Sequence, residues 1–231
     1  MTDLQSLRDD DLAGAATHLL CHHSRTGDLD VRVRSDGCVL HLTGSVDTRD
    51  ELDTVREVLG RMAGVLAIWD RVRVAGEPPT ALDLGCGGTP QHATNICVDR
   101  RRTEQVDVRA DLAGGLPFRD HTVERIYAVH VLEHLADFLP LVDECHRVLR
   151  PHGILHILSP WWRHVNAVAD PTHLRLFDVQ TIKGICTRVD SEHRWYPLHA
   201  AHDQATVFAD LTPLAPSAPG PSAHRMARFF D

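Results

Sequence analysis

The chain has 231 residues, 43% of them hydrophobic and 24% charged, which suffices for one full domain or one and a half and excludes a wholly disordered or collagen-like chain. With 32 acidic against 24 basic residues the formal net charge is -8, which argues against a surface built mainly to neutralise phosphates while leaving room for a local basic patch, and no nucleic-acid partner is expected. No run of about 18 apolar residues occurs, so no membrane span is expected.

Asp9, Asp10 and Asp11 stand where a signal peptide would need a positive region and an apolar stretch, which predicts a cytoplasmic protein. Lys183 is the only lysine and lies outside any P-loop context, so Schiff-base and P-loop chemistry are not expected. The 6 cysteines, Cys21, Cys38, Cys86, Cys97, Cys145 and Cys186, never form CxxC and read as reduced, partly buried thiols.

In chain order, a helical stretch reaches His22, and alternating runs at Asp30 to Arg34 and Cys38 to Leu42 flank a Ser-Asp-Gly turn at 35 to 37, predicting a hairpin. Thr48 with Glu51 three residues on forms a helix-start signature; Leu52, Val55, Leu59 and Met62 then share one face, and Gly64 is the expected stop. A third strand is predicted from Val65 to Val74. This order makes a small α+β unit with two helices on one face of a short sheet. In its glycine placement, strand-helix-strand order and length, the stretch 37–74 resembles the BON domain. That resemblance implies an accessory module that meets a protein partner or a membrane surface and does not itself catalyse.

Residues 76–80 are expected to be a linker stiffened by Pro78 and Pro79. From 81 to 211, short apolar runs alternate with helical or loop segments, the signature of a parallel α/β sheet with crossovers. The runs are Ala81 to Leu84, Asn95 to Val98, Val106 to Val108, Arg125 to Val131 and Ile154 to Leu158. Val179 to Arg188 reads as a helix, and Arg194 to His199 and Gln204 to Ala209 as two closing strands. The Pro- and Ala-rich segment 212–231 is expected to be an extended, frayed tail, although Phe229 and Phe230 could dock.

The run from Ala81 to Leu84 enters Gly85, Cys86, Gly87 and Gly88, where residues without Cβ let a ligand approach the backbone. Asp99, at the end of the next strand, supplies a carboxylate able to accept ribose hydroxyls, so a nucleoside is the implied ligand. Asp111 follows the third run. With Leu116-Pro-Phe, the run Ile126 to His134 and the run Cys145 to Leu155, these segments resemble the class I S-adenosylmethionine-dependent methyltransferases, whose fold is a Rossmann-like seven-stranded sheet. The resemblance implies S-adenosyl-L-methionine as methyl donor and no metal. It assigns Asp83, Gly85, Cys86 and Gly87 to the methionine and ribose portions, Asp99 to the ribose, Ala110, Asp111 and Leu112 to the adenine, and His130 to the methyl-donor side. Only Gly88 to Asn95 separates the glycine turn from the second strand, too little for the usual helix. A compact, type-11-like branch that modifies saccharides shares this crossover, the Val-Leu-Glu-His run and an Asp-Pro-Thr-His-x-Arg-x-Phe segment, here Asp170 to Phe177. A saccharide or natural-product acceptor is therefore implied.

His130 to His134 also matches the HxxEH zinc pattern, but the run continues a strand and no third ligand is evident. His130 and His134 are the leading general bases for a hydroxyl or amine acceptor, because imidazole as a residue type titrates near working pH; Asp170 and His173 come second. A carboxylate acceptor would need no base. Trp161 and Trp162, near His164, either face a sugar ring or pack in the core. Two other classes stay open. One is a peptide or protein methyltransferase that docks its substrate through the N-terminal unit, and the other is a catalytically degenerate binding protein.

Overall fold

The computed structural model describes residues 2–76, 80–189 and 191–231, with the side chains of 2–5 outside the description. The predicted linker prolines lie outside the described residues. Two compact units result, residues 1–79 and 80–231, each with its own hydrophobic core. No described helix is long and apolar enough to cross a membrane.

The first unit runs α1 (Thr2–His22), β1 (Asp30–Asp36), β2 (Val39–Val46), α2 (Arg49–Leu59) and β3 (Ala67–Val74). Strands β1 and β2 form the predicted antiparallel hairpin, and β3 lies parallel to β2. Both helices contribute to one core, with Ala16 and Leu20 of α1 and Leu52, Val55 and Leu59 of α2 meeting Leu40, Leu42 and Val72 of the sheet. Two boundaries differ from expectation. The hairpin turns at Gly37 and Cys38, both with positive φ, and the Asp9 carboxylate accepts from the Ser35 hydroxyl and from the N–H groups of Gly37 and Cys38. That cap fixes the turn later than the Ser-Asp-Gly signal placed it. Helix α2 starts with the expected reciprocal Thr48–Glu51 cap but ends at Gly60, where the Gly60 N–H closes on Arg56 O, and not at Gly64.

The second unit comprises β4 (Ala81–Leu84), β5 (Ile96–Asp99), β6 (Val108–Arg109), β7 (Val123–Val129), α3 (Leu139–Val148), β8 (Leu149–Pro160), α4 (Val165–Ala169), α5 (Val179–Cys186), β9 (Arg194–His202), β10 (Thr206–Leu214) and α6 (Ala223–Phe230). Its seven strands lie in the order β6-β5-β4-β7-β8-β10-β9. The first five pair in parallel, while β10 is antiparallel to both neighbours. The chain order reverses between β4 and β7, so the carboxyl ends of those two strands open a crevice. Burial of Leu82, Leu84, Val98, Ile126, Ala128, Leu155 and Ile157 explains why these runs are almost continuously apolar.

No helix occupies residues 85–95, as the compact crossover implied. Three other expectations are corrected. Strand β8 begins at Leu149, because the pairing with β7 accommodates an irregularity beside a positive-φ His152, a segment whose Pro and Gly read as a turn. The tail is not frayed: β10 continues to Leu214, and Ser222 caps α6, which buries Phe230 in the core. Gln180 donates to Phe230 O and Lys183 pairs with Asp231, so α6 is tied to α5. The cysteines are not all reduced, since Cys86 and Cys97 form a disulfide with Cα atoms 5.8 Å apart. The short crossover brings the glycine turn back onto β5, where Gly85 N–H donates to Val98 O at 2.8 Å.

Candidate functional site

At the reversal point lies a cavity of about 480 Å³ lined by Gly85, Gly87, Asp99, Arg100, Arg101, Asp111, Leu112, His130, Val131, His134, Leu135 and Thr172. Its volume falls within the range typical of small-molecule sites. Gly85 and Gly87 both have φ near +60°, and a Cβ on Gly87 would meet nothing closer than 4.0 Å, so that edge is open backbone. The buried Asp99 accepts Gly87 N–H on Oδ2 at 2.8 Å and Arg101 N–H on Oδ1 at 2.7 Å. Each oxygen keeps lone-pair capacity for a ligand hydroxyl.

Of the residues expected to hold the cofactor, the fold brings Gly85, Gly87, Asp99, Asp111, Leu112 and His130 to this cavity and leaves Asp83, Cys86 and Ala110 out of its lining. Asp83 is buried behind the turn, where it accepts from Gln91 N–H; burial pushes its carboxyl up to about 6 against the opposing hydrogen bonds from Gln91 and Asn95. Cys86 spends its sulfur on Cys97. Ala110 donates its N–H to Asp99 O and braces the neighbouring strand ends. Sequence reasoning missed Arg100, Arg101, Val131, Leu135 and Thr172. The first two immediately follow Asp99, which was the one available signal.

Lining the same cavity, His130 adopts φ +53°, an uncommon left-handed conformation for a residue with a side chain. Its Nδ1 lies 3.1 Å from Glu133 Oε1, and the Ser159 hydroxyl donates to Glu133 Oε2 at 2.8 Å. A carboxylate only accepts, so the His130 Nδ1 carries the proton and Nε2 keeps a lone pair. Glu133 is buried, and its carbonyl accepts the N–H groups of Leu174 and Arg175. Those bonds pin the predicted Asp170 to Phe177 segment against the end of β7.

In that segment the Thr172 hydroxyl donates to Asp170 Oδ1 and lies 3.0 Å from His134 Nδ1. The Thr172 hydroxyl and N–H hold the Asp170 carboxyl below its usual range. His173 stacks edge-on against His134, with ring centroids 4.7 Å apart, and its Nδ1 contacts Ala167 O. Glu133, His134 and His173 each offer one ligand-type atom within 4.8 Å of the others'. The third ligand that the HxxEH run lacked therefore arrives about forty residues later in the chain, and His130 pairs with Glu133 instead of joining the set.

Trp161 and Trp162 part company. Trp161 donates Nε1–H to Asp178 and stacks on His202, whereas Trp162 is 45% exposed, with the Arg163 guanidinium over both rings. His164 caps α4 and is not among the cavity-lining residues.

Residues 89–157 match the family model described as a methyltransferase domain. A curated protein of Mycolicibacterium smegmatis, described as a probable S-adenosylmethionine-dependent methyltransferase, is 39% identical over 61 residues; the match covers 26% of this chain and about a quarter of the relative's length. Among solved structures, a SAM-dependent methyltransferase from Aquifex aeolicus is similar at 15% identity and TM-score 0.46, covering 60% of this chain and 84% of that one. The complex of the Haloferax volcanii Trm112 methyltransferase activator with a methyltransferase gives 14% identity and TM-score 0.44, at 60% and 84% coverage. The family match lies within the second unit and covers under a third of the chain, so over that segment the second unit is similar to methyltransferase domains.

Proposed function

We propose that this protein transfers a methyl group from S-adenosyl-L-methionine to a hydroxyl of a saccharide or related small molecule. The observation that carries the reading is the pairing, across one cavity, of the Gly87–Asp99 clasp with the His130–Glu133 dyad. The residues present fit the cofactor: Gly85 and Gly87 leave backbone open to a ligand, Asp99 has capacity for the ribose hydroxyls, and Asp111 and Leu112 frame the adenine. Bound there, the sulfonium supplies a methyl group already activated toward in-line attack.

The chain's own work is then to align the acceptor, exclude water and take one proton. His130 Nε2 is the base. Glu133 fixes its tautomer and stabilises the imidazolium formed when the hydroxyl proton arrives, and Ser159 holds Glu133 in turn. His134 lines the same wall, and Asp170 reaches it only through Thr172. Exposed Trp162 beside Arg163 suits the apolar face of a sugar ring. The first unit is read as a BON-like accessory module.

Incubation with isotopically labelled donor and separate hydroxyl, carboxylate and peptide acceptors tests this. Label on the hydroxyl acceptors, lost by about 10²- to 10⁴-fold in His130→Ala, is the expected result. Equal turnover in that variant, or label confined to carboxylates, removes the base. Label confined to peptides moves the acceptor class.

A further inference from the structure

We propose that Glu133, His134 and His173 bind one divalent transition-metal ion beside the acceptor end of the cavity. The first observation is convergence, with one donor atom of each side chain lying within 4.8 Å of the others'. Metal bonds of about 2.0–2.2 Å place ligands roughly 3–3.5 Å apart in a tetrahedron, so closure by up to about 1.5 Å completes the set.

The second observation is the state of the two rings. The Thr172 hydroxyl has one proton and gives it to Asp170 Oδ1, so toward His134 Nδ1 it acts as an acceptor and Nδ1 bears the hydrogen. The His173 Nδ1 faces the carbonyl of Ala167, which likewise only accepts. Both neutral imidazoles therefore keep their lone pair on Nε2. Donation of the remote ring N–H to an oxygen that orients the ring is the arrangement that accompanies metal-ligating histidines.

The third observation is charge. The Glu133 carboxylate is 1% exposed, and among the described residues no Lys or Arg forms an ion pair with it. A buried carboxylate satisfied only by His130 and Ser159 is stabilised by a cation. Asp170 Oδ2, 3.9 Å from His173 Nε2, adds a second negative group at the exposed side.

The set is held in place before any ion arrives, because Leu174 and Arg175 donate their N–H groups to Glu133 O and Arg175 bonds Ala136 O. Two imidazoles and one carboxylate favour zinc, cobalt, nickel or iron over magnesium or calcium. The ion's remaining positions are open to water or to an acceptor hydroxyl, whose proton it would acidify. That role rests on the methyl-transfer reading; the binding itself does not.

Titration of the untagged full chain with Co²⁺, followed by visible absorption and then by displacement with Zn²⁺, tests the site. One Co²⁺ per chain is expected, with at least about 100-fold weaker binding in His134→Ala and in His173→Ala. Thr172→Val, which removes the hydroxyl that lies between His134 Nδ1 and Asp170, should weaken it about 10- to 100-fold. The stacked pair His18 and His22 on α1 is a surface rival for the ion, and the double variant at those positions should bind Co²⁺ unchanged. The proposal is overturned if wild type binds no Co²⁺, if binding survives in both folded histidine variants, or if it follows His18 and His22. Calorimetry of the chelated protein with S-adenosylhomocysteine keeps the two readings apart: Co²⁺ binding without nucleoside binding sinks the transferase and leaves the ion, and the reverse sinks the ion alone.

Discussion

Gly85 cannot be replaced without cost. Its backbone has φ +61°, and a Cβ there would lie 2.8 Å from Val131 Cγ2, so Gly85→Ala combines a left-handed penalty with a clash against a cavity wall. Thermal unfolding should show a loss of about 1–3 kcal/mol, with weaker nucleoside binding. Asp83 acts through pH. Burial raises its pKa to about 6, above the unfolded value, so the folded state binds the proton more tightly. Its contribution is full below about pH 4 and declines as pH rises through 6. Denaturation at pH 5 and 7.5 should therefore show wild type less stable at the higher pH by about 1 kcal/mol from this group, a difference that Asp83→Asn abolishes. The residue types at Gly85, Gly87, Asp99 and His130 were legible because glycine permissiveness and a strand-end carboxylate are local signals. The role of Glu133 was not, because its partner Ser159 and the backbone donors Leu174 and Arg175 come from distant segments.

Among the elements, α2 with its Thr48 cap and α5 carry a strong local period, and with α1 and β4 they fall close to where the sequence put them. Strand β8 and helix α6 were misjudged because tertiary pairing extends the first through a Pro-His-Gly stretch and docking rescues the second from a Pro-rich approach. Phe230 is 5% exposed in the main core, so Phe230→Ala should cost roughly 3–5 kcal/mol. A tail that merely frayed would lose almost nothing. The Cys86–Cys97 link was equally invisible, since pairing across 11 residues depends on the turn folding back against β5. Replacing both by serine should lower stability by about 2–4 kcal/mol under non-reducing conditions and by nothing once the wild type is reduced, as read by melting temperature.

For the whole molecule, the chain divides into two compact units, each with its own hydrophobic core. The sheet architecture followed from alternating patterns, but no sequence pattern discloses the acceptor, which depends on loops after β7 and β8. The most direct measurement is calorimetric titration of the full chain and of Asp99→Ala with S-adenosylhomocysteine. Wild type should bind one equivalent in the micromolar range, and the variant at least about tenfold more weakly, the equivalent of one charged hydrogen bond. Absence of binding in wild type, or equal affinity in both, would contradict the glycine-turn and carboxylate clasp.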